Sequence, residues 1–537
     1  MAPTATTLKQ LLQKWRKAVA GTGYPQPPVY TGPDIRLERL VEHTGEVEPG
    51  SAFVARVRAT SDGHPYIGTA LARGAGLIVG ERPVGALGIK IPDGVPYLQV
   101  DDTAVAMAWL AAAWHDFPAR ELVMIGITGT DGKTTTSNIL HQVLRTAGIR
   151  AGLLSTIRAV IGTTEESLAL HVTTPEAPVV QQYLRRMVDA GLTHCVLEAT
   201  SHGLAQRRVG AIDFDMAVVT NITHEHLDYH GSYEAYRAAK ARLFENLNHR
   251  WGAPARSTQA PAKTAVLNLD DDSYQWLAPI PSGRVLTYGL RPDADVYATN
   301  VTYAAASTTY SLHLPEQTVS VEATLVGDFN VYNMLAAAAA AHALGIRAEL
   351  IKAGLEAVQA LSGRMERIDA GQPFLTLVDF AHTPNALERA IAAAQRMVQA
   401  NGRIITVFGS AGKRDVAKRH LMAEISARDA DLTVLTAEDP RTESLAEILE
   451  TMAEGCRAQG EVEGVTFWRI PDRGRAIYHA LSLARPQDLV LICGKGHEQS
   501  ICFGTTEYPW DDREAALTAL RALAAGKTMP DLGLPTF

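Results

Sequence analysis

The chain has 537 residues, 46% hydrophobic and 20% charged, proportions of a globular protein of two or three domains rather than a disordered one. A formal net charge of −8 opposes nucleic-acid binding by bulk electrostatics, so anionic small molecules would have to be held by local basic residues. Cys195, Cys456, Cys493 and Cys502 show no metal-ligand spacing and are few for a disulfide scaffold, which suits a reducing cytoplasm; no apolar run suggests a signal peptide or a membrane span, so neither export by that route nor membrane insertion is expected.

The first block, to about residue 118, reads as a small α/β domain. It carries short strands at 76–79 and 97–100 and an alanine-rich helix at 104–115 that ends before Pro118. An apolar strand at 122–127 then runs into Thr128-Gly129-Thr130-Asp131-Gly132-Lys133-Thr134-Thr135-Thr136, followed by a helix at 137–147. Strand, glycine turn and helix N-terminus describe a polyphosphate cradle. Glycines admit backbone N–H groups to phosphate oxygens, Lys133 reaches the β/γ-phosphates and the Thr134 hydroxyl can ligate magnesium, so ATP and Mg2+ are the expected cofactors. The loop departs from a full Walker A, because Ile127 stands where that pattern has its first glycine; it is a compact variant closed by Gly129.

Further strands at 193–197, 216–220 and 265–269 and an alanine-rich helix at 332–344 continue the alternation, which implies a mainly parallel sheet covered by helices. Glu198 ends one of these strands, where ligands of open parallel sheets gather, and is placed to bind magnesium. The loop His224-Glu225-His226-Leu227-Asp228-Tyr229-His230 follows another; zinc is disfavoured there, for want of cysteine ligands or a helical His-Glu-x-x-His pattern. The Pro, Ala and Ser-rich stretch 250–263 reads as a surface insertion. A third block repeats the α/β rhythm from about residue 363, with strands at 375–380, 404–409, 432–436 and 489–493. No short-period repeat is present.

Taken in order, these residues match a family. Asp62-Gly63-His64-Pro65-Tyr66-Ile67, the phosphate loop, Thr173-Thr174-Pro175, Glu198-Ala199-Thr200-Ser201-His202-Gly203-Leu204, His226-Leu227-Asp228-Tyr229-His230-Gly231 and Tyr236-Arg237-Ala238-Ala239-Lys240 open the series. Gly327-Asp328-Phe329-Asn330-Val331-Tyr332-Asn333, Gly363-Arg364-Met365-Glu366-Arg367, Asp379-Phe380-Ala381-His382-Thr383-Pro384, Asp439-Pro440-Arg441 and Gly494-Lys495-Gly496-His497-Glu498 complete it. The chain resembles the Mur ligases, ATP-dependent amide-forming enzymes of peptidoglycan synthesis, and most closely their MurE type.

The resemblance implies an α/β fold of three domains: 1–118 for the uridine nucleotide, 119–363 as a central P-loop ATPase, and 364–537 as a Rossmann-like amino-acid domain. It implies addition of a diamino acid to UDP-MurNAc-L-Ala-D-Glu through an acyl phosphate, by a cytoplasmic monomer that cycles between open and closed arrangements. By the same resemblance, Gly129, Thr130, Asp131, Gly132, Lys133, Thr134, Thr135, Asn330, Arg364 and Asp379 bind ATP. Lys133, Glu198, His226 and Lys240 are catalytic; Thr134 ligates the magnesium at the phosphates, Glu198 and His226 a second magnesium near the attacking carboxylate, and a carbamylated Lys240 sits beside the cation. Thr44, Thr173, Thr174, Thr200, Gln206 and Arg208 hold the muramoyl substrate; Arg414, Asp439, Arg441, Gly494 and Glu498 hold the incoming amino acid.

Departures from the family pattern are specific. His43-Thr44-Gly45 replaces Asp-Ser-Arg at the uridine site, Glu225 replaces an Asp, and Thr200 a Ser. Lys413-Arg414-Asp415 follows Gly412 where the pattern has Asp-Arg-Asp, and Glu438-Asp439-Pro440-Arg441 replaces Asp-Asn-Pro-Arg. Arg441 favours meso-diaminopimelate, whose extra carboxylate suits a guanidinium, while Asp439 leaves L-lysine or L-ornithine open. Two other readings stand beside this one: a Mur-like ligase acting on a non-nucleotide acid, as folylpolyglutamate and cyanophycin synthetases do, and a catalytically silent nucleotide-binding subunit.

Overall fold

The structure, a computed structural model, describes residues 6–58, 61–167, 174–223, 227–249, 261–304, 307–359, 361–398, 401–413 and 416–536. Thr173, His226 and Arg414 lie outside the described residues, as does most of the insertion expected at 250–263. Contacts divide the chain into two compact units. One is Met1–Ala298 with Leu312–Val319 and Tyr332–Leu355; the other is Thr299–Ser311, Ser320–Val331 and Glu356–Phe537. Among the described residues, no helix is long and apolar enough to cross a membrane.

In the first unit, a four-stranded parallel sheet runs in the order Arg39–Val41, Ser51–Val54, Leu77–Gly80, Tyr97–Gln99. The helix Leu8–Val19 buries Leu8, Leu11, Leu12, Trp15, Ala18 and Val19, a spacing that lines one helical face, and starts in a capping box between Thr7 and Gln10. It meets the helix Thr103–Trp114, which is capped by Asp102, and the Trp15 and Trp109 rings stack at 5.8 Å. Alanines let that second helix be buried on nearly every side.

The larger sheet has the order Thr164–Ser167, Arg158–Ile161, Ala151–Leu154, His194–Glu198, Val123–Thr128, Met216–Val219, Thr264–Asn268, Arg284–Gly289, Val296–Tyr303, Thr308–Leu314, Gln317–Ala323. Val123–Thr128 is buried throughout, as a strand covered on both faces must be, and lies parallel to His194–Glu198 on one side and Met216–Val219 on the other. The register sets Glu198 opposite Ile127 and Val219 opposite Thr128, so three strand ends open onto one edge. The sequence reading placed Val123–Thr128, His194–Glu198, Met216–Val219 and Thr264–Asn268 and missed the other seven strands, the last three among them. Their signal was present: Thr308–Leu314 alternates buried and half-exposed residues with the period of two expected of a strand.

The second unit has a six-stranded sheet in the order Glu366–Arg367, Leu375–Asp379, Leu489–Cys493, Ile404–Phe408, Leu432–Leu435, Phe467–Arg469, parallel except for its first pair. Apolar clusters cover both its faces. Two helix starts differ from expectation. The phosphate-loop helix is Lys133–Thr146, four residues earlier than read, because Gly132 at φ +80° closes the turn and the three threonines form the first helical turn. The alanine-rich helix is Asp328–Ala343, also starting earlier than read.

Candidate active site

The phosphate loop is latched to the neighbouring strand end rather than freely standing. Thr130 N donates to Asn221 O at 2.7 Å, Asp131 N to Asn221 Oδ1 at 3.1 Å, and Thr223 N to Thr130 Oγ1 at 2.9 Å. Thr130 Oγ1 also lies 2.9 Å from the Tyr236 hydroxyl. A Cβ on Gly129, at φ +150°, would stand 1.8 Å from Thr220 Oγ1, and one on Gly132 2.2 Å from Asn333 Oδ1, so both positions require glycine. Asn333 also accepts from Thr136 Oγ1 at 3.2 Å. Asn221, Thr220, Tyr236 and Asn333 were not singled out from sequence; Asn221 and Thr220 sit at a strand end, and Asn333 closes a segment that carries the family resemblance.

The first intrahelical bond shown runs from Thr136 N to Gly132 O at 2.8 Å, and no side chain caps the helix at Gly132. The N–H groups of Lys133, Thr134 and Thr135 are therefore positioned for an anion at the positive end of the helix dipole. Lys133 Nζ folds back on Thr130 O at 2.7 Å. We expect Gly129→Ala to raise KM for ATP at least about tenfold by pushing the loop off Thr220; an unchanged KM would show that the latch does not shape the nucleotide site.

Thr134 and Glu198, separated by 64 residues in sequence, meet at the loop: Thr134 Oγ1 donates to Glu198 Oε1 at 3.0 Å and to Oε2 at 3.1 Å. Thr156 N donates to Glu198 Oε2 at 2.9 Å, and both side chains of the pair are buried. A hydroxyl beside a carboxylate is a hard-oxygen donor set of the kind magnesium takes. Lys240, on the helix Tyr233–Glu245, is 1% exposed, donates to the Gly129 carbonyl and lies 4.5 Å from the centroid of the Tyr236 ring.

A second group adjoins this one. Thr174 Oγ1 donates to Glu198 O at 3.0 Å and lies 3.0 Å from Thr200 Oγ1, which caps the short helix Ser201–Ala205. Arg208 donates to Thr174 O at 2.6 Å and to Gln206 Oε1 at 2.8 Å, and pairs with Glu176 at 2.7 Å. Burial pulls the Arg208 guanidinium down from its ordinary pKa and pushes the Glu176 carboxyl up, so the pair's attraction only partly offsets desolvation. Arg56, 3% exposed, pairs with Glu42 at 3.1 Å and donates to Gln206 O at 3.1 Å, tying the first sheet to this group. Thr44, in the turn Thr44–Glu46, is half-buried on that first sheet's side of the unit.

In the second unit, Asn330 Nδ2 donates to Val326 O at 2.8 Å. Arg364 lies over the Phe380 ring at 4.6 Å, and Asp379 accepts from Met365 N and Ala381 N, both at 2.8 Å. At the strand ends of this sheet, Lys495 Nζ pairs with Asp439 Oδ1 at 2.9 Å and with Glu498 Oε2 at 2.6 Å. Burial pulls Lys495 down, but Glu498 and Asp439 outweigh it and raise its pKa. Asp439 Oδ1 also accepts from Cys502 N at 3.1 Å. Lys495 is thus shared between the Asp439 and Glu498 carboxylates. Arg441, at φ +54°, stands 4.0 Å from Asp439 Oδ2, too far for a hydrogen bond, and is 38% exposed along its side chain.

Glu438 lies behind this group, 6% exposed, with Oε2 lacking a hydrogen-bond partner among the described residues. Burial raises its pKa to about 7, against the opposing pull of Lys418, Lys495 and Arg473. A carboxyl raised in the folded state contributes stability that is full below its unfolded pKa of 4.5 and lost as pH rises through 7. Glu438→Gln should therefore match wild type near pH 4 and exceed it above pH 8 by up to about 3 kcal/mol in chemical denaturation; a pH-independent difference would refute the shift.

The model of the Mur ligase middle domain matches residues 127–341, and that of the Mur ligase, glutamate ligase domain matches residues 363–496. The chain is 44% identical over 505 residues to the UDP-N-acetylmuramyl-tripeptide synthetase of Roseiflexus sp., covering 93% of this chain and 97% of that one. It is 40% identical over 493 residues to the UDP-N-acetylmuramoyl-L-alanyl-D-glutamate–2,6-diaminopimelate ligase of Geobacillus kaustophilus, covering 92% and 96%. A solved structure of a ligase of that name aligns with TM-score 0.59 at 30% identity over 91% of this chain and 95% of that one. A MurF structure from Acinetobacter baumannii, 19% identical, shares the fold with TM-score 0.61 over 98% of this chain and 100% of that one. With a phosphate loop, a hydroxyl–carboxylate pair and a buried lysine assembled at the strand ends of an α/β sheet, and with these relatives spanning nearly its whole length, the chain belongs to the Mur ligase family.

Proposed function

We propose that this protein is a MurE-type, ADP-forming ligase that joins a diamino acid to UDP-MurNAc-L-Ala-D-Glu in peptidoglycan synthesis, with meso-diaminopimelate preferred. The observation that carries the reading is the Thr134–Glu198 pair at the phosphate loop, whose Gly129 carbonyl accepts from Lys240, since the loop gathers groups needed to bring two anions together. The relatives at about 40% identity named for that reaction support it. Residues 1–118 would hold the uridine nucleotide, 119–363 ATP, and 364–537 the amino acid.

The γ-carboxylate of D-Glu attacks the γ-phosphorus of ATP; the new O–P bond forms as the bridging P–O bond breaks, releasing ADP and leaving an acyl phosphate. The amine of the diamino acid then attacks the acyl carbon, phosphate departs, and the nitrogen loses its proton to complete the amide. Such chemistry asks for alignment and charge neutralisation more than for a protein nucleophile. The loop N–H groups and Lys133 receive the phosphates, and Asn330, Arg364 and Asp379 serve the nucleoside side. Thr134, Glu198, His226 and carbamylated Lys240 would hold magnesium, which supplies Lewis-acid shielding of the phosphate charge. Arg208, Gln206, Thr174, Thr200, Thr173 and Thr44 hold the muramoyl substrate, the fork of Arg208 suiting carboxylate or diphosphate oxygens.

Arg414, Asp439, Arg441, Gly494 and Glu498 line the amino-acid site. Asp439 is hydrogen-bonded to Lys495 rather than to Arg441, so the guanidinium of Arg441 can meet the distal carboxylate of meso-diaminopimelate, which L-lysine and L-ornithine lack. A monomer in the cytoplasm, with no nucleic-acid partner, completes the proposal. The test mixes protein with ATP, magnesium and UDP-MurNAc-L-Ala-D-Glu, offers each diamino acid separately, and follows phosphate release. Turnover is expected with meso-diaminopimelate above L-lysine and L-ornithine; release with none of them would overturn the assigned substrate.

A further inference from the structure

We infer that Arg473 is a positioning residue of the amino-acid site, whose guanidinium fixes the separation of the loops 438–441 and 494–498. The inference rests on the assignment of Asp439, Arg441, Gly494 and Glu498 to the incoming diamino acid. Arg473 is the first residue of the helix Arg473–Leu483, with Asp472 as its cap, and Asp512 is the first residue of the helix Asp512–Ala524. Both side chains are fully buried and form a fork: Nε donates to Asp512 Oδ1 and Nη2 to Oδ2, each at 2.7 Å. The Trp510 indole also donates to Asp512 Oδ1, at 2.8 Å, and steadies the carboxylate.

Two further donors of the guanidinium go to backbone. Nη1 donates to Ala437 O at 3.0 Å and Nη2 to Cys493 O at 2.8 Å. Ala437 immediately precedes Glu438 and Asp439, and Cys493 immediately precedes Gly494 and Lys495. The strands behind these two carbonyls, Leu432–Leu435 and Leu489–Cys493, are not sheet neighbours, because Ile404–Phe408 lies between them. Their pairing ladders therefore do not join them directly. Arg473 bridges the two segments below the Lys495–Asp439 pair, at the root of both loops. The guanidinium makes four hydrogen bonds here, two of them a bidentate pair with one carboxylate, whereas a lysine ammonium has only three donors on a single nitrogen.

A buried ion pair can often be exchanged for apolar residues of similar size without loss of stability, which allows position to be tested apart from folding. The double variant Arg473→Met/Asp512→Leu, and Arg473→Lys, would be compared with wild type for thermal midpoint and for KM of ATP, of UDP-MurNAc-dipeptide and of the diamino acid. The expected result is a KM for the diamino acid raised about tenfold or more, with the other two constants within about twofold. An unchanged KM for the diamino acid in folded variants, or an equal rise in all three constants, would overturn the inference. Should the double variant not fold, Trp510→Phe, which removes only the indole donor to Asp512, is expected to raise the same constant by about threefold, and no rise would overturn it. Wild-type protein that fails to turn over with any of the diamino acids would overturn the underlying site assignment and this inference together; wild-type turnover beside unaltered variants would overturn the inference alone.

Discussion

Replacing Lys240 with Ala is expected to lower kcat by about a thousandfold, and short carboxylic acids such as acetate or propionate are expected to restore part of the loss. Lys240 is 1% exposed and touches the Gly129 carbonyl at the base of the phosphate loop. An ammonium there adds positive charge beside the magnesium site proposed at Thr134 and Glu198, whereas the carbamate formed when Nζ bonds to carbon dioxide is an anion. The carbamate keeps one N–H on Nζ, enough to hold the Gly129 carbonyl. In Lys240→Ala the lost side chain leaves space that a small carboxylate can enter, bringing back the negative charge without the covalent link. Rescue that depends on the carboxylate form, absent with the corresponding alcohol, would be the signature. Full activity of the alanine variant would remove the carbamate from the mechanism.

Glu198→Ala should show a second loss of about a thousandfold in kcat, together with a rise of roughly tenfold or more in the magnesium concentration needed for half-maximal rate. The substitution also strips the acceptor from Thr134 Oγ1 and from Thr156 N, so a stability cost of about 1–3 kcal/mol accompanies it. Glu198→Gln separates the two effects. Its amide oxygen can still accept from Thr156 N, so its denaturation midpoint should stay near wild type, while the anionic ligand is gone and activity remains low. A glutamine variant as active as wild type would show that Glu198 serves the fold alone.

Much of this site could be read along the chain because its parts are local. The strand, glycine turn and helix start around Gly129, Gly132 and Lys133 are contiguous, and the physical demand on each is set within a few residues. The start of the helix could not be read so well. Three β-branched threonines after Lys133 suggest a loop, yet the left-handed Gly132 lets them enter the first turn, where packing outweighs their modest helix propensity. Glu198 was legible as a strand-end acid, but nothing in the sequence stated that Thr134 would be its donor. The latch of Asn221 onto Thr130 and Asp131 was not legible at all, because it depends on which strands are neighbours.

The amino-acid site shows the same division. Arg441 and Asp439 stand out as residue types, and Asp439 in place of Asn leaves L-lysine and L-ornithine open beside meso-diaminopimelate. Folding brings Lys495 onto Asp439 across 56 residues, so Asp439 is held there and Arg441 stays 4.0 Å from it, which suits the role proposed for its guanidinium.

The sequence by itself determined the α/β class, the phosphate loop and the family, since those follow from periodicity and from ordered short motifs that each specify their own backbone. Tertiary structure alone decided which polar groups neutralise one another: Thr134 with Glu198, Lys240 with the Gly129 carbonyl, Lys495 with Asp439, and Arg473 with Asp512 and two strand ends. Hydrogen bonds and ion pairs act over about 3 Å, and only strand order and register bring residues far apart in the chain within that reach.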